Sequence, residues 1–126
     1  MFVHRERVRF RDVDAMGHVN NAVYLTYIES ARVAYLQSLG AARSLDELAI
    51  IVARVEIDFR APIGFGDEVE ITAHASRFGR KSFDLDHELR VGSTLVAEAK
   101  TVLVGYDYGR GEAIVIPEAL RAKLAA

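Results

Sequence analysis

One long helical stretch set among strand patterns constrains this chain more than any other feature. Between about Asn20 and Ser38 the apolar residues Val23, Tyr27, Ile28, Ala31, Ala34 and Tyr35 recur at helical spacing, and Gly40 just beyond is a natural stop. After it the period changes to two. Ile51, Ala53, Val55, Ile57 and Phe59 alternate with Arg54, Glu56, Asp58 and Arg60. Val69, Ile71, Ala73 and Ala75 alternate with Glu68, Glu70, Thr72 and His74, and Phe83, Leu85, Leu89 and Val91 with Asp84, Asp86, Glu88 and Arg90. The last pattern, Thr94 to Tyr106, is apolar on both sides at Val102, Leu103 and Val104, which marks a strand that is central or covered by a partner. A lone long helix has no helical neighbour to bury its stripe against. It must lie on one face of an antiparallel sheet, an α+β architecture.

The first strand of that sheet reads from Met1 to Phe10, with Phe2, Val8 and Phe10 on one side and Arg5, Arg7, Arg9 and Arg11 on a solvated face. Residues 41–49 read as a loop or a short helical turn around Ser44 to Leu48. The C-terminal part reads as a polar turn from Asp107 to Glu112, a short strand from Ala113 to Ile116, and a brief helix that Pro117 opens and that runs to about Leu124.

The 126 residues suit one domain over 1–126, with room for a second subunit to complete a site. A net charge of −2, with cations and carboxylates interspersed, leaves no footprint for nucleic acid. The absence of cysteine excludes disulfides, thiolate metal sites and a cysteine nucleophile. No apolar run approaches the roughly 20 residues that span a bilayer, and the N-terminus lacks a signal-peptide core, so a soluble cytoplasmic protein is expected. His4, His18, His74 and His87 show no His-x-His or HExxH spacing, and no serine sits in a G-x-S-x-G elbow. Neither a catalytic metal nor a serine nucleophile is expected.

The polar turn from Asp12 to Asn21 carries the chemical signal. Asp12 and Asp14 are two apart and share a face on an extended chain, and Gly17 permits backbone angles that a side chain opposes. Asn20 and Asn21 then suit the start of the helix. A helix start presents unpaired N–H groups and the positive end of the dipole, which suits a developing oxyanion. A carboxylate and an oxyanion site could therefore come from one turn. The same residues also serve an ordinary loop with a capped helix, and spacing alone leaves both open.

The segment DVDAMGHVNNAVYLTYIESAR, from Asp12 to Arg32, resembles the signature D-x-D-x-x-G-H-V-N-N-x-x-Y-x-x-Y-x-E-x-A-R of the 4-hydroxybenzoyl-CoA thioesterase-like acyl-CoA thioesterases. The strand pattern downstream is similar as well. The resemblance implies a hotdog fold, an antiparallel sheet wrapped around one central helix. It also implies two subunits joined sheet edge to sheet edge, with sites at the dimer interface, so that a homodimer or homotetramer is expected. Asp14 matches the catalytic carboxylate of that family, and Asn21 the residue whose N–H meets the thioester oxygen. His18 matches a histidine near the reaction centre, and Gly17 belongs to the substrate-binding turn. Glu29 and Arg32 also lie in the signature; three apart on the helix, they are spaced to form a salt bridge, with a part for Glu29 in positioning the turn as the lesser alternative.

Downstream, Arg77, Arg80 and Lys81 cluster at the Gly79 turn in RFGRKSF. R-K-S-F occurs at the same turn in 4-hydroxybenzoyl-CoA thioesterases, where the cations contact the nucleotide phosphates. The resemblance gives that role to Arg80 and Lys81, with Arg77 a weaker neighbour, and Glu112 stands where some members carry a further arginine. The implied activity is hydrolysis of an acyl-CoA to free acid and CoA without a cofactor, with Asp14 as general base or nucleophile. A thioesterase acting on acyl-carrier protein and a non-catalytic acyl-CoA binding module are the alternatives.

Overall fold

The computed structural model describes residues 1–41 and 48–126, so the turn expected around Ser44 falls outside the described residues. In chain order the elements are β1 (Val3–Arg7), a 3-10 turn (Phe10–Asp12), α1 (Asn21–Ser38), β2 (Ile50–Phe59), β3 (Glu68–Thr72), β4 (His74–Phe78), β5 (Ser82–Val91), β6 (Thr94–Asp107), β7 (Glu112–Ala113) and α2 (Glu118–Ala125). The strands form one antiparallel sheet in the order β1-β3-β5-β6-β2. β4 continues β3 along β5, and β7 pairs with the end of β6.

The helix buries Tyr24, Tyr27, Ile28, Ala31, Tyr35 and Leu36 against the concave face of the sheet. Val23 and Ala34, expected in this stripe, are half-buried at its margin. The core divides in two along the helix. Tyr24 to Ala31 pack with Val69, Ile71, Leu89, Val96 and Ala97, whereas Tyr35 and Leu36 pack with Ile50, Phe83, Leu85, Leu103, Ile116 and Leu124. Each fully buried Ile, Leu or Phe of these clusters contributes about 1.5–3 kcal/mol of transfer free energy.

β6, apolar on both sides in sequence, lies between β5 and β2, as its composition required. Among the described residues β2 is paired on one side only. Ile51, Val52 and Phe59 consequently stay exposed, and the half-buried strand expected there is more open than its alternation suggests. At the other end of the sheet, Arg5 pairs with Glu70 at 2.9 Å, and Arg7 reaches Glu68 at 4.0 Å. Phe10 departs from expectation: the 3-10 turn breaks the alternation, and the ring is 79% exposed, edge-on to Phe65. The strand expected at Ala113–Ile116 shortens to two residues. There Ile114 donates to the Gly105 carbonyl at 2.9 Å, an approach so close that a Cβ on Gly105 would lie 2.4 Å from the Ile114 oxygen.

A polar belt separates the core halves. The Nδ1–H of His87 donates to the Thr72 carbonyl, and its Nε2 accepts from the Thr101 hydroxyl, both at 3.1 Å. Thr72 also accepts the Glu88 N–H on its hydroxyl oxygen at 2.9 Å. Side chains thus take over ladder positions, and the single strand expected from Val69 to Ala75 becomes β3 and β4. Burial, reinforced by the charge of Arg32, holds His87 well below its ordinary value, at about 4. An unfolded histidine takes up its proton near pH 6.5 and the buried one does not, so folding stability falls as pH drops from 6.5 towards 4, by roughly 3 kcal/mol. Urea titrations of wild type and His87→Gln across that window should show this slope in the wild type and its loss in the variant.

Candidate active site

The turn between β1 and α1 is a small hairpin. Val13 bridges Val19, the Asp14 N–H donates to the His18 carbonyl at 2.7 Å, and the Asn20 N–H donates to the Asp12 carbonyl at 2.9 Å. Gly17 sits at φ +79°, where any other residue would be strained. A second loop braces the hairpin: Val19 donates to the Ile63 carbonyl at 2.8 Å, and His18 bridges Gly64. Asn20 caps α1, its side-chain oxygen accepting the Ala22 N–H at 2.9 Å.

The two aspartates do not share a face. The 3-10 turn rotates Asp12 inward to 3% exposure and leaves Asp14 in solvent. Asp12 Oδ2 accepts from the Tyr27 hydroxyl at 2.7 Å and from the Arg9 N–H at 3.0 Å, and the Arg9 guanidinium reaches Oδ1 at 3.3 Å. Burial alone would raise the Asp12 pKa, but these donors and the Arg9 charge together hold it below the ordinary carboxylate value. Tyr27 is raised in turn, by burial first and then by the carboxylate it donates to. Sequence reading did not single out Asp12 as an anchor; the available signal was Tyr27, a polar-tipped residue on the buried stripe of the helix.

Asp14 is differently placed. Its Oδ1 accepts the Met16 N–H at 2.9 Å and the His18 N–H at 3.3 Å, which fixes the carboxylate while Oδ2 has no partner among the described residues. His18, whose N–H makes the second of these bonds, is exposed, as is Asn21 at the start of α1. The Asn21 N–H, first in the helix, has no acceptor among the described residues, whereas those of Ala22 and Val23 are taken by Asn20. An oriented carboxylate and an open helix-start amide therefore belong to one braced hairpin.

A cavity of about 610 Å³ lies elsewhere, between the second half of α1 and the start of β2, lined by Glu29, Arg32, Leu36, Ile50, Val52 and Tyr108. Glu29 is eight residues along α1 from Asn21, a rise of about 12 Å. The expected Glu29–Arg32 pair is loose, at 3.8 Å, with the Arg32 side chain 11% exposed and that of Glu29 69% exposed.

At the β4–β5 turn, Arg80 and Lys81 are exposed and make no ion pair among the described residues. Arg77 is not available in the same way. It donates to the Ser82 hydroxyl at 2.9 Å and to buried Asp84 at 2.8 Å, and that bond holds the Asp84 carboxyl below its ordinary value. Glu112 contacts Arg110. Among the described residues no group of three or more histidines and carboxylates could hold a metal ion.

An antiparallel sheet curled on one long helix, with a polar hairpin at the helix start, defines a hotdog-type protein. Residues 8–124 match the Thioesterase-like superfamily, and the chain belongs to that family. A thioesterase from Thermus thermophilus, solved with coenzyme A and Zn, superposes with a TM-score of 0.90 at 39% identity, covering 98% of this chain and 97% of that one. A 1,4-dihydroxy-2-naphthoyl-CoA hydrolase from Synechococcus elongatus is 32% identical over 90% of this chain and 88% of its own length. The acyl-acyl carrier protein thioesterase ATL3 of Arabidopsis thaliana is 31% identical over 93% of this chain, which spans 64% of that relative.

The two aspartates should separate in their effects on folding. Asp12→Ala leaves a buried hydroxyl and a guanidinium without their acceptor and should cost about 2–4 kcal/mol. Asp14→Ala, in solvent, should cost about 1 kcal/mol or less. Urea unfolding of both variants checks this, and equal costs would contradict the division between anchor and exposed carboxylate.

Proposed function

We propose that this chain is an acyl-CoA thioesterase in which Asp14 is the catalytic carboxylate and the Asn21 N–H the oxyanion donor. The observation that carries this reading is the pairing, on one hairpin, of an oriented exposed carboxylate with an unpartnered helix-start amide. As general base, Asp14 takes a proton from water, and the hydroxide attacks the thioester carbon. As nucleophile, its free oxygen attacks directly, giving an anhydride that water then opens. In both routes the carbonyl oxygen gains negative charge against the Asn21 N–H and the helix dipole, and the C–S bond breaks to release CoA thiolate, which takes up a proton. An oxyanion donor of this kind is worth roughly 10²–10³ in rate. His18 lies beside Asp14 and contributes to positioning, and Gly17 gives the turn its shape.

The free edge of β2 suits a second copy. Its exposed Ile51, Val52 and Phe59 accompany an outer edge that no strand pairs among the described residues, and soluble proteins ordinarily cover such an edge. The Phe59 end of β2 touches Tyr24 near the helix start, with ring centroids 4.9 Å apart, and the Ile50 end packs with Leu36. Antiparallel pairing through β2 would therefore bring the cavity of one subunit beside the helix start of the other, and we assign the acyl group to that space.

Arg80 and Lys81 are assigned to the nucleotide phosphates of CoA, for which unpaired cations at an open turn are suited. A carrier-protein substrate is the second reading, favoured by the name of the Arabidopsis relative. It is distinguished by turnover on acyl-carrier protein in preference to acyl-CoA.

Thiol release from a panel of aromatic and aliphatic acyl-CoAs tests the proposal. Asp14→Asn should lower kcat by roughly 10²–10⁴ without unfolding the protein, and an unchanged kcat would overturn the assignment. Arg80→Ala with Lys81→Ala should raise KM for CoA esters by about tenfold while sparing the matching pantetheine esters, as expected for two lost charge-assisted contacts. Equal shifts on both substrates would contradict phosphate contact.

A further inference from the structure

The β4–β5 turn is held from outside the hairpin. Arg121 of α2 donates through Nη2 to the Gly79 carbonyl, and the same nitrogen lies 3.3 Å from the Arg80 carbonyl. The Ile116 N–H also donates to the Arg80 carbonyl, at 3.2 Å, and the Gly105 N–H donates to the Lys81 carbonyl at 2.8 Å. Three successive carbonyl oxygens are thus turned towards β6 and the C-terminal segment. The guanidinium of Arg121 also lies over the Phe78 ring, 5.6 Å from its centroid. Within the turn the Gly79 N–H donates to the Ser82 carbonyl at 2.7 Å, and a Cβ on Gly79 would meet the ends of two side chains, the Ser82 Oγ at 2.7 Å and an Arg77 nitrogen at 2.9 Å. With Arg77 committed to Ser82 and Asp84, the cations left over at this turn are Arg80 and Lys81.

A two-cation turn that is mobile before binding must be ordered when it meets phosphate, and that ordering reduces affinity. Here the backbone on which both cations stand is fixed in advance by a side chain some forty residues further along the chain. We propose that Arg121 is a positioning residue for nucleotide recognition: α2, through Arg121, holds the Gly79–Lys81 backbone so that Arg80 and Lys81 present their charges together to the phosphates of a CoA thioester. The inference rests on the assignment of Arg80 and Lys81 made above. It adds that the C-terminal helix sets how strongly the nucleotide end of the substrate is held.

The test is a mutant cycle read on two substrates. Arg121→Met keeps the aliphatic stem over Phe78 and removes the donors, and Arg121→Lys keeps the charge without the planar fork. Both are made in the wild type and in the Arg80→Ala, Lys81→Ala background. In the wild-type background Arg121→Met should raise KM for an acyl-CoA about three- to tenfold, the cost of ordering one or two side chains. The matching acyl-pantetheine, which has no nucleotide, should shift less than about twofold, within the scatter of distant substitutions. Arg121→Lys should recover part of the loss. In the double-alanine background Arg121→Met should add nothing further, because the groups it positions are gone.

Equal shifts on both substrates, no shift, or a full effect persisting in the double-alanine background would overturn the positioning role while leaving the phosphate assignment standing. If the double-alanine protein keeps the wild-type KM for acyl-CoA, the phosphate assignment itself fails and the inference fails with it. If no ester is turned over by the wild type, the same cycle is read as Kd for CoA and for pantetheine by calorimetry, with the same expected pattern. Should Arg121→Met not fold, Arg121→Gln and Arg121→Lys carry the comparison.

Discussion

The buried carboxylate of Asp12 is the interaction on which the site depends. Taking a charge to 3% exposure is costly unless donors replace water, and here Tyr27, the Arg9 backbone and the Arg9 guanidinium do so. Tyr27 belongs to the stripe of α1 that meets the sheet, so the anchor ties the hairpin to the core through the helix itself. The Asp12 carbonyl then receives the Asn20 N–H, which sets where the helix begins. Between these fixed ends the hairpin closes with Gly17 at positive φ, Asp14 accepting two backbone N–H groups, and the Asn21 amide left open among the described residues. The buried carboxylate anchors the hairpin, and the Met16 and His18 N–H groups of that hairpin orient the exposed one.

The sheet extends the same logic. β6 is central and apolar on both sides, and β2 beside it ends the sheet among the described residues with exposed apolar side chains, the edge to which the proposed second copy is assigned. The division of the core by His87 and Thr101 separates a half that supports the hairpin from a half that borders the cavity. Arg32, almost buried, stands at that boundary with only a loose partner in Glu29. The C-terminal helix closes the far end, burying Leu124 in the core and bracing the cationic turn.

Much of this was legible in the sequence because it depends on local periodicity. The helix and its cap, the alternation of β5 and the central position of β6 follow from spacing, and the resemblance over Asp12–Arg32 pointed to the family. What could not be read were contacts between residues distant in sequence. Asp12 and Asp14 share a face only on an extended chain, and the 3-10 turn that separates them is stabilised by Tyr27, fifteen residues on. The break between β3 and β4 depends on His87 and Thr72 meeting across the sheet. Arg77 reads in sequence as a weaker neighbour of the two phosphate-facing cations, and Asp84, which reads as an outward strand residue, takes it up. Arg121 carries no signal at all, since its role depends on where the chain returns.

The measurement that bears most directly on this account is isotope-edited infrared spectroscopy of an acyl-CoA carrying a ¹³C-labelled carbonyl, bound to Asp14→Asn so that it is held without turnover. If the Asn21 amide and the helix dipole act on the thioester oxygen, the carbonyl band moves to lower frequency than in water and returns when Asn21 is replaced by proline, which has no N–H to give. A bound thioester whose carbonyl band stays at its aqueous position would contradict the oxyanion site at the helix start.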